Sequence, residues 1–262
     1  MAHVLITGGS SGIGLALASL LLKRGDRVSL LARDPDRLSA ARNALISGGA
    51  STEAIFIASV DVTDQKALND AVGASEAEQG EVDCLIASAG MVEPALFDAQ
   101  PADAFDRQVS INLTGVANSV RAVYAAMKAR RRGRILVVSS GAGLIGIPGY
   151  SGYCASKFAL RGFAASLRAE ALSHDVTVSV CFPPDTLTPQ YERELPLRPP
   201  EAALLMGKVR PWKVETVAGR MLAGFDRGIA EIHFGATLAI LARIGPVLAP
   251  FIERRQRRRR SR

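Results

Sequence analysis

Residues 4–14 read VLITGGSSGIG. Four residues suited to a strand, Val4 to Thr7, run into Gly8, Gly9, Gly12 and Gly14, and the chain continues as GLALASLLLKRG (14–25), whose apolar residues recur at helical spacing. Glycines let a chain turn sharply and bring backbone N–H groups close to a ligand. A helix that begins straight after such a turn offers unpaired N–H donors and the positive end of its dipole, which together favour a phosphate. The stretch reads as a pyrophosphate cradle made by Gly8, Gly12 and Gly14, with Ser10 and Ser11 adding hydroxyl contacts.

The strand-then-helix pattern repeats along the chain. Strands are predicted near Val4–Thr7, Val28–Leu31, Ala54–Ser59, Cys84–Ala87, Ile135–Ser139, Thr177–Phe182 and Glu231–Phe234, separated by helical patterns such as GVANSVRAVYAAMKARRRG (115–133). Strands that are nearly continuous in apolar residues and alternate with helices imply a parallel sheet covered on both faces. The predicted fold is α/β: a single Rossmann-type domain over 1–252, doubly wound, with a mostly parallel seven-stranded sheet and helices on both faces. No internal repeat or second domain is visible. The exception is 183–212, thirty residues with seven of the chain's thirteen prolines, too long for an ordinary connection. Such folds hold ligands at the carboxyl ends of strands, so this segment is predicted to be a substrate loop.

With 262 residues, 48% of them hydrophobic, the chain can bury one sizeable core. Its net charge of +7 suggests nucleic acid until the charge is located: the tail ERRQRRRRSR (253–262) alone carries +6. A body near neutrality with 5% aromatic residues lacks the basic folded face of a nucleic-acid reader. Cys84, Cys154 and Cys181 have no metal or redox spacing, and His3, His174 and His233 have no matched partners, so no metal is expected and a reducing compartment is. The first strand begins at His3, which leaves no room for a secretory leader and predicts a cytoplasmic protein, at most at the cytoplasmic face of the membrane.

The second strand ends in LLARDPDR (30–37). An acidic residue there would accept from a ribose 2′-hydroxyl, whereas an arginine pairs with a 2′-phosphate. Arg33, with Arg37 about one turn on, therefore points to NADP(H), although Asp34 complicates the reading. Asp61, after the third strand, is placed to meet the adenine edge.

A phenol and an ammonium stand one helical turn apart in SGYCASKFALRG (151–162). Positions four apart share a helix face, so Lys157 can hold its charge near Tyr153 and favour the phenolate. Thirteen residues upstream, Ser140 closes the fifth strand, where its hydroxyl can bond a substrate carbonyl while Tyr153 donates a proton. The small neighbours Gly152, Ala155 and Ser156 leave room for both.

Taken together, the glycine turn, Ser140, Tyr153 and Lys157 resemble the short-chain dehydrogenase/reductase family over essentially the whole chain. The resemblance implies a fourth catalytic residue, Asn112 in SINLTG (110–115), which kinks its helix and relays a proton through water to the lysine. It also implies that Ile13, Val62, Ala89, Gly90, Pro183 and Thr188 line the cofactor, which Tyr153 and Lys157 touch as well. Two departures are visible: Ser88-Ala89-Gly90 replaces the family's Asn-Ala-Gly, and Pro184 replaces a glycine after the sixth strand.

The run CFPPDTLTPQYERE (181–194) is similar to a branch of the family that reduces the ketone of a long-chain 3-keto amino alcohol with NADPH. That lipid is the expected substrate, with a 3-oxoacyl thioester or a steroid as alternatives and a non-catalytic dinucleotide sensor as a third possibility. The resemblance also implies a homo-oligomer. The apolar segment 235–252 followed by the arginine tail suits peripheral contact with anionic headgroups, or packing against a partner subunit. No nucleic-acid partner is expected.

Overall fold

A computed structural model describes residues 1–207 and 210–245. Strands β1 (His3–Thr7), β2 (Arg27–Ala32), β3 (Ile55–Ser59), β4 (Cys84–Ala87), β5 (Gly133–Val138), β6 (Val176–Phe182) and β7 (Glu231–His233) form one sheet in the order β3-β2-β1-β4-β5-β6-β7. Every neighbouring pair is parallel, as expected for a doubly wound sheet. The chain builds outward in one direction from β1 and in the other from β4, so a crevice opens at the carboxyl ends of these two strands.

Ladder pairing sets the strand ends and shifts some of the predicted limits. Residues Thr52–Ala54 form a single 3-10 turn, so β3 starts at Ile55 rather than Ala54. Gly133 pairs with Val176, extending β5 and β6 backward, and Val138 pairs with Cys181, after which Ser139 and Ser140 leave the sheet.

The helices are α1 (Gly12–Lys23), α2 (Pro35–Ser47), α3 (Gln65–Gln79), α4 (Ala102–Val109), α5 (Gly115–Ala129), α6 (Ser151–Ala171), α7 (Pro189–Glu194), α8 (Pro200–Met206) and α9 (Val214–Asp226), with a further helical run over 235–245. Successive strand residues face opposite sides. Leu5, Leu85, Ile135 and Val180 join Leu68 of α3, Val120 of α5 and Leu160 of α6 in one core. Val4, Ile6, Ile86 and Leu136 join Leu17 and Leu21 of α1, Leu38 of α2 and Met221 of α9 in the other. Each fully buried leucine contributes about 1.5–3 kcal/mol, so the two cores fix the sheet and, with it, the crevice at its edge.

Residues 183–207 carry two short helices, which the proline count concealed. Thr188 caps α7 by accepting from the Tyr191 N–H at 3.2 Å, and Pro189 occupies the first turn; Pro200 opens α8 in the same way. Proline suits these positions because its missing N–H would have no helical partner there. The two ends of this substrate segment are joined where Trp212 donates to the Asp185 carbonyl at 2.8 Å and Leu187 donates to the Trp212 carbonyl at 2.9 Å. The end of the expected apolar segment, 246–252, and the tail 253–262 lie outside the described residues. Among the described residues no helix is long and apolar enough to cross a membrane.

Candidate active site

A cavity of about 750 Å³ covers the carboxyl edge of the sheet. At one end are Gly8, Ser10, Ser11, Gly12 and Ile13 of the glycine turn. Gly8 has φ +72°, and a Cβ added there would stand 2.8 Å from the Ala89 Cα. A Cβ on Gly14 would run into the Gly8 carbonyl oxygen, so Gly14 does not line the cavity but lets α1 pack onto the turn. Ser11 makes no side-chain cap bond and the first turn of α1 holds no acidic residue, which leaves its N–H donors to a ligand. This cradle fits a dinucleotide pyrophosphate.

Arg33, Arg37, Asp61 and Val62 line the next part of the wall. Asp34, the complication in the sequence, serves its own helix: it caps α2 by accepting from the Arg37 N–H at 3.0 Å. Its other oxygen lies 3.3 Å from Arg37 Nε. The Arg33 side chain is 63% exposed and only 3.9 Å from Asp61 Oδ2. Asp61 Oδ1 meanwhile accepts from the Thr63 N–H and hydroxyl, both at 2.8 Å.

Ala89, Gly90, Ser140, Tyr153, Lys157, Pro183 and Thr188 complete the predicted set along the cavity. Ser139 donates to the Lys157 carbonyl at 2.8 Å and so ties α6 to the end of β5. Ser140, in extended backbone, caps the turn Gly141–Gly143 by accepting from the Ala142 N–H at 3.1 Å. Lys157 Nζ lies 5.7 Å from the centre of the Tyr153 ring and donates to the Val138 carbonyl at 3.0 Å.

The electrostatics correct one expectation. Burial removes water from both groups and decides both titrations: the Lys157 ammonium is pushed down to about 8 and the Tyr153 phenol is pushed up. A hydrogen bond with Ser140 opposes the rise at Tyr153, and the nearby charge of Glu194 adds to it. Burial, not the neighbouring lysine, decides the resting state: Tyr153 is held as the neutral phenol, the form able to give a proton.

Asn112 is fully buried behind the cavity, within a π-helical turn, Ser110–Thr114, between α4 and α5. It accepts from the Met91 N–H at 2.7 Å and donates to the Met91 carbonyl at 2.9 Å and to Ser156 Oγ at 3.1 Å. The expected helix irregularity is present, and the side chain holds the strand-end loop after β4. A Cβ on Gly90 would come within 3.2 Å of Asn112 Oδ1 and 3.4 Å of Lys157 Nζ, so this glycine keeps the two in one small space.

Sequence reasoning missed a group beside Tyr153. Arg198 donates to Asp185 at 3.1 Å and to Glu194 at 2.8 Å, and the Tyr150 hydroxyl donates to Glu194 at 2.6 Å. Only the four-residue spacing of Glu194 and Arg198 hinted at it. The same cavity has apolar lining from Ile145, Ile147, Leu197, Leu205 and Leu238.

Comparison with known proteins agrees with this geometry. The family model described as "short chain dehydrogenase" matches residues 2–196. The chain is 36% identical over 251 residues to 3-ketodihydrosphingosine reductase of Bos taurus, covering 95% of this chain and 76% of that protein. It is 38% identical over 248 residues to 3-dehydrosphinganine reductase TSC10B of Arabidopsis thaliana, covering 93% and 73%. Among solved structures, levodione reductase superposes with a TM-score of 0.80 at 26% identity over 88% of this chain and 94% of its own. A 3-oxoacyl-[acyl-carrier protein] reductase with bound NAD from Brucella melitensis superposes with a TM-score of 0.75 at 26% identity, over 88% and 87%. Fold, glycine cradle and relatives agree: the chain belongs to the short-chain dehydrogenase/reductase family and is an oxidoreductase of the nicotinamide-dependent kind.

Proposed function

We propose that the protein reduces 3-ketosphinganine to sphinganine with NADPH. The observation that carries this reading is the meeting, in one cavity, of the glycine cradle, the half-exposed Arg33 and Arg37, the Ser140–Tyr153–Lys157 set and apolar lining residues. The relatives named above act on this ketone by their names, and apolar lining suits a long alkyl chain.

The cradle of Gly8 and Gly12 and the first turn of α1 would hold the pyrophosphate, and Arg33 and Arg37 the 2′-phosphate. When bound, the nicotinamide supplies a hydride to the ketone carbon. Ser140 donates a hydrogen bond to the ketone oxygen, and Tyr153 hands that oxygen its proton as negative charge develops. Lys157, buried beside the ring, stabilises the phenolate left behind. Asn112 fixes the loop after β4 that closes this end of the cavity and would complete proton return to the lysine through water. The ammonium must be present for this role, so the buried Lys157 makes the reaction sensitive to pH near 8.

The protein would act on lipid drawn from a membrane surface. Ile240 and Ile244 are 50% and 44% exposed on the helical run 235–245, which supports peripheral contact or a subunit interface there. Removing 253–262 separates the two: unchanged binding to anionic vesicles at low salt overturns tail-driven docking. The substrate assignment is tested by NADPH oxidation with 3-ketosphinganine beside a 3-oxoacyl thioester.

A further inference from the structure

The charges beside the reacting tyrosine do not balance. Asp185, Glu194 and Arg198 are mostly buried, with side-chain exposures of 25%, 12% and 9%. Two carboxylates therefore share one guanidinium in a partly dry wall. Arg198 Nη1 and Nη2 engage Asp185 Oδ2 and Glu194 Oε1, and Tyr150 both donates to Glu194 Oε1 and accepts from Arg198 Nε at 3.1 Å. Asp185 Oδ1 and Glu194 Oε2 have no hydrogen-bond partner among the described residues, and both residues line the cavity.

Among the described residues, the nearby cations do not fill the gap. Arg107 pairs with Glu93 at 3.0 Å, Lys157 is held by the Val138 carbonyl, and Arg193 is exposed on α7. The Tyr150 ring meets the Tyr153 ring edge-on at 6.2 Å, which places Glu194 one phenol away from the reacting hydroxyl. Uncompensated negative charge there opposes the negative charge that develops on a ketone oxygen. For a neutral ketone such an arrangement is a handicap. For a ketone with a cation on the adjacent carbon it is a recognition site, because the ligand supplies the missing charge.

We propose that Glu194 and Asp185 bind the ammonium of an α-amino ketone and select it over the deaminated ketone. This rests on the substrate reading above and adds the means by which the amine is chosen.

The test compares wild type, Glu194→Gln and Asp185→Asn with 3-ketosphinganine and with the same long-chain 3-keto alcohol lacking the amino group. The expected result is a wild-type kcat/KM ratio that favours the amine and falls about 10- to 100-fold in Glu194→Gln, the range of one charge-assisted hydrogen bond. In parallel, calorimetry measures sphinganine and its deaminated diol binding to the protein–NADP⁺ complex. An unchanged ratio in both variants, each binding NADPH like wild type, overturns the proposal. If one variant fails to bind NADPH, the other decides. If wild type reduces neither ketone, the substrate reading fails and the binding arm decides the inference: equal affinity for sphinganine and the diol overturns it, and an amine preference lost on substitution sustains it.

Discussion

Arg33→Ala is expected to remove most of the preference for NADPH proposed above. The guanidinium is 63% exposed and lies 3.9 Å from Asp61, too far for a strong pair, so its charge is available to a 2′-phosphate. A charge-assisted hydrogen bond contributes about 1.5–3 kcal/mol, and exposure with the Asp61 counter-charge places Arg33 toward the lower end. A loss of about 1.5–2 kcal/mol raises the NADPH Kd roughly 10- to 30-fold. NADH has no 2′-phosphate, so its Kd should change less than about twofold by the same arithmetic. Nucleotide fluorescence titration of wild type, Arg33→Ala and the Arg33→Ala/Arg37→Ala pair gives both constants, and the double variant should weaken NADPH further. Equal weakening of both nucleotides, or tighter NADH binding by wild type, would refute the assignment of the arginines.

Tyr153→Phe removes only the hydroxyl and should lower kcat/KM by about 10²- to 10⁴-fold while NADPH binding persists; near-normal turnover by purified variant would overturn the acid assignment. The kcat/KM for reduction should fall as pH rises through about 8, where Lys157 loses its proton; a profile flat to pH 10 contradicts the role of its ammonium. The same lowered titration makes folding less favourable below pH 8, and stability should rise as pH climbs from 8 toward the lysine's ordinary 10.5, because the unfolded chain then holds more protons. Lys157→Met, inactive, should therefore gain up to roughly 3 kcal/mol at neutral pH in urea unfolding of the cofactor-free protein, and the gain should vanish at the alkaline end. Arg198→Met leaves Asp185 and Glu194 without their cation and should loosen the substrate segment, seen as faster proteolysis within 183–212; cleavage no faster than in wild type would show that the ion cluster does not hold it.

The sheet could be read from the chain because its strands are buried on both faces and announce themselves as apolar runs between helical spacings. The cradle and Tyr153–Lys157 were equally visible, since each depends on local spacing. What stayed hidden depends on contacts between distant residues. The pairing of Gly133 with Val176 moved two strand limits, and no local pattern marks that register. The titration of Tyr153 was read with the wrong sign, because one helical turn shows Lys157 but not the burial that outweighs it. Seven prolines suggested a long substrate loop over 183–212 without helices, yet Thr188-Pro189 is itself a helix-start signal and Pro199-Pro200 another. The group of Tyr150, Asp185, Glu194 and Arg198 spans three elements, and only the folded chain assembles it.

The most direct measurement is NADPH oxidation by the purified protein with 3-ketosphinganine in mixed micelles, run beside a 3-oxoacyl thioester and with NADH in place of NADPH. Turnover of the sphingoid ketone with NADPH, and little with the thioester or with NADH, is the expected result. Turnover of the thioester alone would keep Ser140, Tyr153 and Lys157 in their roles and contradict the lipid assignment.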